Sequence, residues 1–204
     1  MQTKPEILEP PLDSNGGNPV TWILFTIVFV ILTGLIYPAV TTLLAGAIFP
    51  SQANGSLIEQ NGKVVGSSLV GQTFSGKQYF IGRPSSAGAG NDPTSLSGSN
   101  LAVSNPALLE RARATSAQIA TREAVQPDQI PSDLIAASGS GIDPHISPAA
   151  AALQVSRVAK ARGLSADQVQ ELVNQFTQPP TLGLLGQARV NVLELNLALD
   201  AKLK

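Results

Sequence analysis

His145 is the only histidine in the 204 residues, and it lies in Asp143-Pro144-His145-Ile146-Ser147. Asp143 is placed to orient an imidazole there, and serines lie close by. A carboxylate, a base and a hydroxyl are the parts of nucleophilic catalysis. No Gly-x-Ser-x-Gly elbow accompanies them, and the serines sit in turn-like sequence. A structural histidine bonding a helix start is therefore favoured over a general base. One histidine and no cysteine leave no set for a zinc site, an iron–sulfur cluster or a disulfide. A second string, Gly71-Gln72-Thr73-Phe74-Ser75-Gly76-Lys77-Gln78, misses the phosphate-loop pattern at its last position. Gln78 stands where a Ser or Thr hydroxyl would hold magnesium, and Tyr79-Phe80-Ile81 reads as a strand where the pattern needs a helix. No catalytic residue, metal ligand or tightly bound cofactor is assigned.

The elements around these residues fall into two unequal parts. Thirteen Lys plus Arg against fourteen Asp plus Glu give a charge of −1, which leaves no basic excess for nucleic acid. Only 13% of residues are charged, about half the usual share, and between Asp13 and Glu59 there are none. The run Trp22–Phe49 would extend roughly 40 Å as a helix, enough to cross a hydrocarbon core of about 30 Å with tilt. Ala45-Gly46-Ala47 resembles a signal-peptidase site, but the preceding tail carries Glu6, Glu9 and Asp13 beside Lys4. The apolar core is also longer than a signal peptide needs, so a retained anchor is preferred. Within it, the Pro38 ring presses on the carbonyl of Gly34 and predicts a bend. Thr42 and Gly46, like Thr41 and Ala45, are small and four apart and offer a close-packing face for a neighbouring helix, although the general richness of membrane helices in Gly and Pro explains such positions equally well. Lys4 and Lys63 nearly balance across the span, so flanking charge does not set its direction.

The reading is an α+β soluble domain preceded by one N-terminal transmembrane helix: tail 1–21, span 22–49, domain 50–204. In the domain, Val64–Leu69 and Gln78–Ile81 read as strands, and Pro84–Asn100 as a long Ser/Gly/Pro/Asn loop. Asn105 and Pro106 open a helix to about Glu123; Ser147 and Pro148 open another, ended by Gly163. Ser165-Ala166-Asp167-Gln168 is a capping box for a third, which stops before Pro179-Pro180. Residues Arg189–Lys204 fit either a strand or a helix face, and a short strand at Val190–Val192 leading into a helix is preferred.

One echo stands out. Ser97-Gly98-Ser99-Asn100-Leu101 and Ser138-Gly139-Ser140-Gly141-Ile142 each lead toward a helix start. Helix starts can hold an anion or carboxylate, although ordinary loop-to-helix junctions explain the pattern as well. The same strings, with Asp143–Ser147, Phe80-Ile81-Gly82-Arg83-Pro84, Arg157-Val158-Ala159-Lys160-Ala161-Arg162 and Arg189-Val190-Asn191-Val192-Leu193-Glu194-Leu195-Asn196, occur in one order behind one span. In this the chain closely resembles the C subunit of the bacterial Kdp-type potassium-transporting ATPase. The N-terminal tail is longer than is usual in that family, and Ile142 stands where Leu is frequent.

The resemblance implies a non-catalytic accessory subunit of a high-affinity, ATP-driven potassium uptake pump. Its implied partners are a channel-like potassium subunit, a P-type ATPase subunit, a small single-span subunit and the lipid bilayer. The implied place is the cytoplasmic membrane, single-pass, with the N-terminus cytoplasmic and the C-terminal domain outside. The family's C subunit is described as a catalytic chaperone raising the ATP affinity of the ATPase subunit, and its nucleotide-contacting Gln would correspond to Gln72. Beside that, Gln72 reads as an ordinary turn residue after a strand, and ATP is expected only in complex with the ATPase subunit. Ser97, Ser99, Asn100, Ser138, Ser140, Asp143 and His145 are the candidates for docking on a partner. The rival readings are a membrane-anchored exported enzyme and a stand-alone binding module.

Overall fold

The computed structural model describes residues 18–202, so most of the tail, with Lys4, Glu6, Glu9 and Asp13, lies outside the described residues. The chain divides into two units, with the boundary between Asn54 and Gly55.

In the first unit, Asn18 caps helix α1 (Pro19–Ile31) by accepting from the Val20 N–H at 3.0 Å. The helix runs through one π segment, Leu32–Ile36, into α2 (Tyr37–Ile48), and Pro19–Ile48 is long and apolar enough to cross a membrane. The π segment lies just before Pro38 and contains Gly34. There the Tyr37 N–H reaches back to the Leu32 carbonyl, so the register shifts where the proline brings no donor. Thr26, Thr33 and Thr41 fold their hydroxyls onto carbonyls one turn back, so these three donors do not face hydrocarbon unpaired. A short helix, α3 (Pro50–Ala53), follows.

The second unit opens with an antiparallel hairpin, β1 (Leu57–Gln60) and β2 (Lys63–Ser67). Its tip is Asn61-Gly62, both with positive φ (+54° and +73°), the turn whose twist matches paired strands. The expected strand at Val64–Leu69 is therefore half of a hairpin. Its partner β1 was signalled by the Asn-Gly pair and absent from the sequence reading.

Three of the later helices follow their caps. Helix α4 (Pro106–Glu123) starts at Asn105, and after the short α5 (Ser132–Ile135) and the strand β3 (His145–Ile146), α6 (Pro148–Arg162) runs from Ser147 to Gly163. Helix α7 (Ala166–Gln175) carries the Ser165/Gln168 capping box. The chain then forms β4 (Thr177–Gln178), β5 (Arg189–Asn191) and α8 (Val192–Lys202). Strand β5 lies between β3 and β4, antiparallel to both, in the order β3-β5-β4. Phe80, Ile146, Val158, Val169, Val173, Val190, Leu195 and Leu199 form the core where this sheet meets the helices.

The strand expected at Gln78–Ile81 is not there; those residues are irregular backbone. Tyr-Phe-Ile has strand-like composition because Phe80 is a core residue, yet no neighbouring strand pairs with it. Side chains of α6 and α8 take that role. Asn196 bonds both backbone groups of Phe80, and Gln154 bonds both of Ile81. Arg157 donates to the carbonyls of Lys77 and Tyr79, and Arg162 to that of Gln78.

Candidate docking face and the cleft beside Gln72

The two Ser-Gly-Ser turns pack on each other. A Cβ on Gly98 would stand 2.7 Å from the Gly139 carbonyl oxygen, and one on Gly141 would stand 2.5 Å from that of Ser97. Gly141 also has φ +78°, so both space and conformation require glycine there. The Ser138 and Ser140 hydroxyls lie 3.1 Å apart and accept from the Gly141 and Ile142 N–H groups, respectively. Ser99 accepts from Arg111, while Ser97 and Asn100 stay exposed. The turns do not themselves form helix starts. Asn105 and Ser147 fill those positions, accepting from Ala107 N–H and Ala150 N–H at 3.0 Å each. The anion-binding alternative thus loses its geometric basis.

Asp143 organises the next stretch. Its Oδ2 accepts from Arg83 Nη1 at 2.9 Å and its Oδ1 accepts from the His145 backbone N–H at 3.0 Å. The imidazole Nδ1 stands 3.6 Å from Oδ1, too long for a hydrogen bond. Burial alone would raise the Asp143 pKa. The His145 side chain and backbone, then the Arg83 hydrogen bond and charge, outweigh it and hold the carboxyl below its ordinary 3.8. The Ser147 hydroxyl donates to Asp133 at 3.2 Å while it caps α6. Among the described residues, no serine hydroxyl is hydrogen-bonded to His145, so the geometry of a nucleophile activated by its base is not assembled. Arg83, Asp143 and His145 line a shallow cleft of about 270 Å³ together with Arg189 at the start of β5.

Gln72 donates from Nε2 to the Val65 carbonyl at 2.9 Å and lies across Gly66, where any side chain would collide with it. It thereby pins the hairpin to the rest of the domain. It also lines a cleft of about 330 Å³ with Asn91, Arg83, Arg122 and Asp143. Both arginines there have carboxylate partners, Asp143 for Arg83 and Glu123 for Arg122. Residues 71–78 open no helix; the next one is α4.

Sequence reading missed the polar groups that hold this face from behind. The Glu123 side chain is fully buried and pairs with Arg122 and Arg157 at 2.6 and 3.0 Å. Arg157 also bonds Gln154 at 2.8 Å. Burial pushes the Arg157 pKa down, partly offset by Glu123. Polar Gln154 and Arg157, three apart on α6 and alternating with buried Val155 and Val158, were the available signal. In the first unit, a Cβ on either Gly34 or Gly46 would meet nothing within 4 Å. Gly34, Pro38, Thr42 and Gly46 are all exposed along the helix.

The family described as KdpC, K+-transporting ATPase, c chain, matches residues 20–201. The potassium-transporting ATPase KdpC subunit of Shewanella putrefaciens is 56% identical over 167 residues, covering 82% of this chain and 83% of that one. That of Herpetosiphon aurantiacus is 54% identical over 178 residues, covering 85% and 91%. That of Acidobacterium capsulatum is 51% identical over 180 residues, covering 88% and 96%.

Proposed function

From the fact that this chain belongs to the KdpC family, the c chain of K+-transporting ATPases, we propose that it stabilises assembly of a high-affinity potassium uptake pump through the paired-turn face. As a subunit of that family it is an accessory component and not the catalytic one. The observation that carries the proposal is the backbone contact of Gly98 with Gly139 and of Gly141 with Ser97. It fuses two distant loops into one polar surface beside Arg83, Asp143 and His145. Such a surface, fixed by internal hydrogen bonds, loses little conformational freedom on docking. The channel-like potassium subunit is its proposed partner, beside the P-type ATPase and small single-span subunits, with the domain outside and the N-terminus cytoplasmic.

An effect on ATP affinity then belongs to the complex. A domain outside the membrane reaches a cytoplasmic nucleotide site only by contacting pump states unequally, a coupling of usually about 1–3 kcal/mol. The test is copurification from solubilised membranes, with a reporter fused after Lys204 to fix the side of the domain. Recovery of the full pump and an outside reporter are expected. A chain recovered alone, or an inside reporter, counts against the reading.

A further inference from the structure

A third cleft, of about 640 Å³, opens between the end of α4, helix α6 and the segment before Tyr79. Lys77, Arg122, Arg157 and Lys160 line it, and Glu123 is the one carboxylate among the lining residues. Three positive charges are therefore left uncancelled in one recess of a chain whose overall charge is −1. The donors of these side chains are not equally committed. Arg157 is saturated: Nε donates to Glu123, Nη1 to the carbonyls of Lys77 and Tyr79, and Nη2 to Gln154. Arg122 donates to Glu123 through Nε alone, at 2.6 Å, and that carboxylate is fully buried. Its two Nη groups thus form a free fork on a fixed stem. Among the described residues, the ammoniums of Lys77 and Lys160 and the hydroxyl of Ser156 have no hydrogen-bond partner either. Burial pushes the Arg157 pKa down against the pull of Glu123, and the Arg122 charge pushes it further, as crowded cations without a counter-anion do.

We propose that this cleft binds a phosphate-bearing anion through the Arg122 fork and the Lys77 and Lys160 ammoniums. A guanidinium fork matches two oxygens of one tetrahedral anion, and ammoniums meet the remaining oxygens as point charges. A single carboxylate would cancel one of the three spare charges. A phosphate monoester carries close to two and offers three strong acceptor oxygens. Glu123 already fixes the stems of both arginines, so little ordering is left for the anion to impose. A nucleotide is the weaker fit, because no aromatic side chain lines the cleft and a base would have nothing to stack on. The residues of the paired turns lie outside the cleft, so the proposal does not rest on the docking reading. Free phosphate and a phospholipid headgroup present the same oxyanion, and the test separates them.

The test uses the full chain in a nonionic detergent, titrated by calorimetry with inorganic phosphate against chloride of equal ionic strength. Saturable binding is expected, with a dissociation constant of about 0.1–1 mM, which leaves the cleft empty at micromolar nucleotide. Lys77→Gln combined with Lys160→Gln should weaken binding at least about tenfold, and each alone should give part of that loss. Lys63→Gln, outside the cleft, should leave binding unchanged. Both cleft lysines are exposed, so the melting temperature in chloride should not move. Water-soluble dibutanoyl phosphatidic acid is the second probe. Binding tighter than that of inorganic phosphate, and lost in the same double variant, assigns the cleft to a lipid headgroup; binding no tighter assigns it to the free anion. Either result sustains the proposal. No saturable binding of either probe, or equal binding by the double variant, overturns it. So does a hexaglutamate peptide that binds more tightly than phosphate and loses that binding in the double variant, because the cleft is then a seat for an acidic protein segment.

Discussion

The side-chain amide of Asn196 is hydrogen-bonded to both backbone groups of Phe80. The Phe80 N–H donates to Oδ1 at 2.8 Å, and Nδ2 donates to the Phe80 carbonyl at 2.9 Å. Gln154 repeats the arrangement on Ile81, at 2.9 and 3.1 Å. Two amide side chains, one from α8 and one from α6, thus stand in for an adjacent strand. They matter to the proposed docking face because Arg83, two residues beyond Ile81, reaches Asp143 only if this segment is held.

Asn196→Leu keeps the volume and removes both bonds. The Phe80 N–H and carbonyl are then left buried and unpaired, at about 1–3 kcal/mol each. The expected loss is about 2–5 kcal/mol, a large part of the ~5–15 kcal/mol that holds an ordinary domain together. Urea unfolding of the purified chain measures it. A loss under about 1 kcal/mol means that water or a shifted backbone satisfies Phe80 instead.

Gly141→Ala and Gly98→Ala should each wedge the paired turns apart. The new methyl meets backbone oxygen at 2.5 and 2.7 Å, respectively, and Gly141 adds the cost of positive φ. Overpacking of this kind costs about 1–3 kcal/mol. Gly141→Ala should be the worse of the two, and copurification with the pump should fall in the same order. Gly139→Ala is the control, since its Cβ would meet nothing within 4 Å.

What could be read in advance was local. Asn105, Ser147 and Ser165 announced their helices because a cap is a contact within four residues. The Asn61-Gly62 turn was equally local, and reading it would have supplied β1. The segment at Gln78–Ile81 was misjudged because its partners, Gln154 and Asn196, lie 73 and 116 residues further on. Composition reports burial but not what satisfies the backbone. The two Ser-Gly-Ser turns were noticed as an echo, while their mutual contact depends on tertiary packing that no spacing encodes.

Asp143 predicts an acid-sensitive contribution to stability. Its carboxyl is held below the ordinary 3.8 in the folded chain, so protons bind the unfolded chain more readily. The contribution is complete above that value and is lost as pH falls through the lower, folded one. Asp143→Asn should therefore be less stable than the unmodified chain near neutrality and should converge with it on acidification below about pH 4. Urea midpoints between pH 3 and 7 give both curves. A gap that stays constant over that range shows that the carboxylate charge is not what Arg83 and His145 respond to.

The last prediction concerns nucleotide. Gln72 already spends its Nε2 on the Val65 carbonyl, and Gly71–Gln78 leads into no helix whose N-terminus could receive phosphates. The isolated chain should therefore show no saturable ATP binding by calorimetry at micromolar nucleotide. Gln72→Ala should cost about 1 kcal/mol of stability, the size of one lost hydrogen bond, by freeing the β1–β2 hairpin. In the assembled pump, the same substitution should change the ATP affinity of the ATPase subunit no more than it changes retention of this chain. If ATP instead binds the isolated chain stoichiometrically and Gln72→Ala abolishes that binding, the amide is a nucleotide contact and its bond to Val65 is the resting arrangement of a ligand site.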